Sequence, residues 1–209
     1  FMVEYCQDFD FLKGVKTVGT IHNGEYQGTM DWQMSNYMPR FDAWKWGLLD
    51  WNGRINPLAT MIKCCLEFTA VSQGYMHELF EDAQGLQDLI RQEHRKAHGI
   101  INGIDTEVWN PMTDIMLNDH YSRENVEEGK EKNKKWLCEE YGLNPELPLF
   151  AFIGRFAGEK GADMLPDIVR RSISETEGAL NILILGSGNP QIENTLKQLQ
   201  EEFHVNFAM

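Results

Sequence analysis

The feature that most constrains the fold is a change of hydrophobic period in the last third of the chain. Leu147 to Ile153 (LPLFAFI) and Leu180 to Leu185 are continuous apolar runs. Each is followed by a glycine-bearing polar loop and then by a segment of helical period, Ala162 to Ser174 and Gln191 to Phe203, and a further run opens at Val205. Runs apolar at consecutive positions predict strands buried on both faces, and their alternation with helices predicts a parallel sheet of Rossmann type. Before them, Glu124 to Tyr141 predicts a charged amphipathic helix with Val126, Trp136, Leu137 and Tyr141 as its apolar stripe and Gly142 as its C-cap.

The first half has the same character less sharply. Lys16 to His22 (KTVGTIH) predicts a buried strand that breaks at Asn23-Gly24. Asn56 to Cys65 and Tyr75 to Phe80 have helical spacing, with Phe68 to Val71 a short strand between them. Ile100 and Ile101 run into the turn Asn102-Gly103-Ile104-Asp105, which marks the start of a second domain. A chain of 209 residues has room for two modest α/β domains. It stops at Met209 inside a predicted strand, so it is expected to be a fragment of something longer.

In open parallel sheets ligands sit at the carboxyl ends of the strands, where these polar loops fall. The sharpest loop is Gly154-Arg155-Phe156-Ala157-Gly158-Glu159-Lys160-Gly161. Arg155 and Lys160 can converge on one anion, the guanidinium as a planar fork and the ammonium as a point charge, and a diphosphate suits the pair. A solvated loop beside Glu159 fits the spacing equally. Gly186-Ser187-Gly188 lets a nucleotide approach the following helix N-terminus, or is simply a tight turn. His22, Asn23, Tyr26 and Gln27 form a polar cluster at a strand end suited to sugar hydroxyls. Trp32, Trp44, Trp46 and Trp51 crowd one region and can stack on sugar rings or pack the loops. His94 and His98 lie four apart without the rest of a zinc motif.

Charge narrows the partners. The chain has 19 Lys+Arg against 32 Asp+Glu, a net −13. Such a surface repels phosphate backbones and anionic lipid, which argues against nucleic-acid and membrane-surface functions and leaves carbohydrate partners open. Cys6, Cys64, Cys65 and Cys138 have neither zinc-ribbon nor disulfide-scaffold spacing and read as reduced thiols of a cytoplasmic protein. No apolar run is long enough to span a bilayer.

Together, KTVGTIHNGEYQG (16–28), GRINPLATMIKCCLEFTAVSQGY (53–75), GIINGIDTEVWNPMTD (99–114), FIGRFAGEKGADML (152–165) and LILGSG (183–188) resemble, in order and spacing, the bacterial glycogen and plant starch synthases. The resemblance runs through essentially the whole chain. It implies an α/β fold of GT-B type, with parts of two Rossmann-like domains facing a cleft: 1–102 from the N-terminal, acceptor-side domain and 103–209 from the nucleotide-sugar-binding domain. It also implies a retaining transfer of glucose from ADP-glucose to the non-reducing end of an α-1,4-glucan, with no cofactor. By the same resemblance Arg155 and Lys160 match the pair on the donor diphosphate, His22 the active-site histidine near the transferred glucose, and Asn102 an asparagine at the same sugar. The resemblance also implies that Gly186 and Gly188 border the nucleotide. Phe156-Ala157-Gly158 and Gln73-Gly74 depart from the usual pattern. Further family motifs are expected before Phe1 and after Met209, so the isolated chain is expected to be inactive. A GT-B enzyme using UDP-glucose, or a non-catalytic glucan-binding relative, is the alternative.

Overall fold

A computed structural model describes residues 2–5 and 8–209; Cys6 lies outside the described residues. The chain divides into two compact units, Phe1–Ile104 and Asp105–Met209.

The first unit opens with a helical turn, α1 (Met2–Tyr5), and is built on three parallel strands. These are β1 (Val18–Ile21), β4 (Glu67–Ala70) and β5 (Ala97–Gly99), in the order β1-β4-β5, with Ile21 opposite Ala70 and Ala70 opposite Gly99. Between β1 and β4 lie α2 (Trp46–Leu49), the hairpin β2 (Asp50–Trp51) and β3 (Arg54–Ile55), and α3 (Pro57–Cys64). The hairpin turns on Asn52 and Gly53, both at positive φ (53° and 75°), the backbone a tight two-residue turn requires. Asn56 caps α3 by accepting from the Ala59 amide at 2.9 Å, and Pro57 follows where its missing N–H costs nothing. At its other end Lys96 donates to the carbonyls of Ile62 and Lys63 at 3.0 and 3.3 Å, satisfying groups the helix leaves open. α4 (Gln73–Glu81), capped by Ser72, and α5 (Gln87–Gln92) connect β4 to β5. Ile21, Ile62, Phe68, Leu79, Leu86 and Ile90 form the core.

The second unit begins with a chain of turns from Asp105 and then α6 (Val126–Glu140). Next come β6 (Leu149–Ile153), α7 (Leu165–Glu175), β7 (Asn181–Leu185), α8 (Pro190–Glu202) and β8 (Phe207–Ala208), with all three strands parallel in the order β6-β7-β8. α7 and α8 cover one face of the sheet through Val169, Ile173, Leu196 and Leu199 on Ile182, Ile184 and Phe207. α6 through Cys138, with Leu143 just beyond its end, packs with Leu149, Leu183 and Ala208. This is the expected alternation of strand and helix around a parallel sheet.

Several local expectations change. Trp136 and Tyr141 are a little under half exposed; the inward face of α6 carries Gly129, tucked under the Tyr121 ring, and Cys138. Ile100 and Ile101 are exposed beyond the strand end, because β5 is defined by pairing with β4 and not by its own hydrophobicity. Phe150 and Ile153 of β6 and Leu185 of β7 stand exposed where burial on both faces was expected. Ala162–Met164 is a 3-10 turn before α7 starts at Leu165. The last strand begins only at Phe207: buried Asn206 donates to the Gly178 and Leu180 carbonyls at 2.9 and 2.8 Å and fixes the turn before β7.

Candidate functional site: the loops at the carboxyl edges

In the second unit the basic loop and the glycine loop leave β6 and β7 side by side, and they are joined backbone to backbone. The Phe156 amide donates to the Ser187 carbonyl at 2.8 Å and the Asn189 amide to the Phe156 carbonyl at 3.0 Å, so Phe156 and Gly188 form a one-residue extension of the parallel ladder. Phe156 is 2% exposed and stacks on Phe152. The two glycines permit this approach. A Cβ on Gly186 would lie 2.1 Å from the Gly154 carbonyl oxygen, and one on Gly188 2.6 Å from that of Phe156.

The cradle so formed presents Arg155 and Lys160 to solvent. Arg155 donates through Nη2 to the Glu159 carboxylate at 2.7 Å, and Lys160, at the end of the 3-10 turn Gly158–Lys160, makes no ion pair among the described residues. Gly161 follows at φ 65°, the left-handed conformation that ends the turn. The Gly188 amide is committed to the Glu193 carboxylate at 2.8 Å, and the Asn189 side chain caps α8 through the Gln191 amide. The glycine loop is thus a stretch of backbone without side-chain bulk, and the positive charge of the cradle comes from Arg155 and Lys160.

In the first unit, His22 is the exposed residue directly after β1, and Asn102 is exposed on the segment after β5. Both emerge from the same carboxyl edge, two strands apart, a spacing of about 10 Å between strand ends. The loop after His22 is held from below. The Gly24 amide donates to the Tyr75 hydroxyl at 2.7 Å, and the Asn23 side-chain Oδ1 accepts from the Glu25 amide at 2.8 Å. Gln27 donates to the carbonyls of Gly24, Ala83 and Gln84 and accepts from Asn56 at 2.7 Å. Gln27, read in the sequence as a sugar-binding residue, is therefore consumed by the scaffold, and Tyr75 and Asn56 are supports to which the sequence reading gave no role. Only the Ser72 cap just upstream of Tyr75 hinted at an ordered helix start there.

The aromatic cluster divides. The Trp51 indole donates to the Gly85 carbonyl at 2.8 Å and Trp32 lies against Asp50, whereas Trp44 and Trp46 are exposed. His94 and His98 have separate partners, the Arg91 carbonyl and Glu67, and no group of three metal-ligating side chains gathers among the described residues. Cys65 and Cys138 are buried and Cys64 half-buried; burial pushes all three thiols above their ordinary pKa, which keeps them protonated. No helix among the described residues is long and apolar enough to cross a membrane.

Two units, each a parallel sheet wrapped by helices with polar loops at its carboxyl edge, place the chain in the GT-B class of glycosyltransferase folds. The catalytic domain of starch synthase IV from Arabidopsis thaliana, bound to ADP and acarbose, matches the whole chain and 45% of its own with a TM-score of 0.83 at 27% identity. Residues 1–92 match the starch synthase catalytic domain family. A glycogen synthase of Flavobacterium johnsoniae is 46% identical over 207 residues, 99% of this chain and 44% of that protein. Starch synthase 2 of Arabidopsis thaliana is 32% identical over 97% of the chain and 27% of its own length. The chain is a homologue of the glycogen and starch synthases along essentially its whole length, and it spans less than half the length of these relatives.

Proposed function

We propose that the protein is a retaining glucosyltransferase that moves glucose from ADP-glucose to the non-reducing end of an α-1,4-glucan, acting in the cytoplasm. The observation that carries this reading is the joined cradle of Gly154–Gly161 and Gly186–Gly188, which holds two cations at a strand edge in a chain 46% identical to a glycogen synthase. A solved relative bound to ADP and acarbose supports the adenine nucleotide as donor.

On this reading the unit 105–209 binds the nucleotide sugar and the unit 1–104 serves the acceptor side. Breaking the bond between glucose and diphosphate leaves growing negative charge on the departing phosphate. Arg155 and Lys160 meet that charge, Arg155 with paired donors and Lys160 as a point charge, and the fixed backbone under them spares the cost of reorganising water around it. Gly186 and Gly188 border the nucleotide. His22 and Asn102, on one carboxyl edge of the first unit, contact the transferred glucose. The two loop cations supply the neutralisation, so no cofactor is assigned.

The test is transfer of labelled glucose to glycogen by the protein containing this segment, with ADP-glucose or UDP-glucose, as wild type and as Lys160→Ala. Strong transfer from ADP-glucose that falls by about a hundredfold or more in the variant is the expected result. Indifference to Lys160, or inactivity with both donors, overturns the reading.

A further inference from the structure

The diphosphate reading leaves one residue of the basic loop without a part: Glu159. Its carboxylate sits 2.7 Å from Arg155 Nη2, in a loop whose other charges are Arg155 and Lys160. The side chains of Arg155 and Glu159 are 70% and 36% exposed, so the pair is open to solvent and either member can turn away without being stranded in a dry interior. The backbone beneath them is fixed by the Phe156 bonds to Ser187 and Asn189 and by the left-handed Gly161, so the exchange needs only side-chain rotation.

We propose that Glu159 is an internal competitor for the donor diphosphate: its carboxylate occupies the Arg155 guanidinium in the unliganded protein, is displaced when the diphosphate arrives, and returns as the nucleoside diphosphate leaves. This rests on the diphosphate reading of the loop and deepens it by naming the residue that tunes affinity at that site. Two features favour competition over simple support of Arg155. An exposed carboxylate–guanidinium pair four residues apart is weak and readily exchanged, and a carboxylate presents to guanidinium the same paired oxygens that a phosphate does. Glu159 also stays close after displacement, since it is next to Lys160 in sequence, so its negative charge continues to oppose the bound anion. The consequence is a site that keeps its arginine oriented and solvated while empty and holds the product diphosphate less tightly than its two cations alone would.

The experiment titrates the protein containing this segment with inorganic diphosphate and with ADP at low ionic strength, reading the amide NMR signals of Gly154 to Gly161 and Gly186 to Gly188. Wild type is compared with Glu159→Gln, Arg155→Ala, Lys160→Ala and the Arg155→Ala/Glu159→Gln double variant. Glu159→Gln, which keeps shape and hydrogen bonding but removes the charge, is expected to bind both probes about three- to tenfold more tightly, with an unfolding midpoint close to wild type. In the Arg155→Ala background the same substitution is expected to gain less, because no guanidinium remains to be released. Weaker binding by Glu159→Gln shows that Glu159 supports Arg155 and overturns the proposal; so does an unchanged affinity. In either case the diphosphate reading stands if Arg155→Ala and Lys160→Ala still weaken binding. Unchanged binding in those two variants, or no saturable shift in any, overturns both.

Discussion

At the scale of single residues, the chemistry of the site depends on atoms that are absent as much as on those present. Gly186 has no room for a methyl group against the Gly154 carbonyl, so Gly186→Ala must push the two loops apart. We expect it to cost about 1–3 kcal/mol in thermal unfolding and to weaken ADP binding through displacement of Arg155 and Lys160. Tight ADP binding by a destabilised Gly186→Ala protein would show that the loops work independently. Arg155 and Lys160 stand out in the sequence as two cations on one glycine loop in a chain of net charge −13, and the structure places both exposed on that loop. Gln27 was misread for an equally physical reason. A glutamine beside a histidine at a strand end looks the same whether its amide faces a sugar or, as here, the carbonyls of Ala83 and Gln84 and the side chain of Asn56, all distant in sequence.

Elements were legible where their signal is local. α3, α4, α6, α7 and α8 fall within two or three residues of the periodic segments, since an amphipathic helix writes its face into its own sequence. β5 was not legible: Ala-His-Gly has no strand character and is held by Phe68 and Ala70 across the ladder. The β2–β3 hairpin carried an overlooked signal in Asn52-Gly53. Element ends depend on remote groups too, as Lys96 shows by holding the carboxyl end of α3 from more than thirty residues away while pairing with Glu93 at 2.8 Å. Lys96→Met keeps the aliphatic stem and removes those donors. We expect a loss of about 2 kcal/mol in urea unfolding, the scale for hydrogen bonds from a charged group, and an unchanged midpoint would mean that water replaces Lys96 at these carbonyls.

Across the whole chain, the thiols report the integrity of both units, Cys64 and Cys65 in the first and Cys138 in the second. Burial raises each folded-state pKa, so on raising the pH the unfolded chain loses its thiol protons before the native chain does. Their contribution to stability is therefore full below a thiol's ordinary value of 9.0 and is lost as the pH climbs through the raised folded values. Unfolding curves from pH 7 to 10 should show stability falling above about 9, and Cys65 and Cys138 should resist alkylation at pH 7.5 until denaturant is added. Rapid alkylation in the native protein would mean that the packing around them opens readily.

The sequence by itself determined the α/β class, the strand-helix alternation of the second half, and the loops at which charge and glycine gather, because each of these is written in neighbours within a few residues. Tertiary structure alone decided which strands pair, that the basic loop and the glycine loop are joined through Phe156, that Gln27 belongs to the scaffold, and that Glu159 stands on Arg155. The reason is range. Periodicity and turn chemistry act along the chain, whereas a close backbone approach or a shared carboxylate depends on where folding brings distant residues and on how their side chains turn.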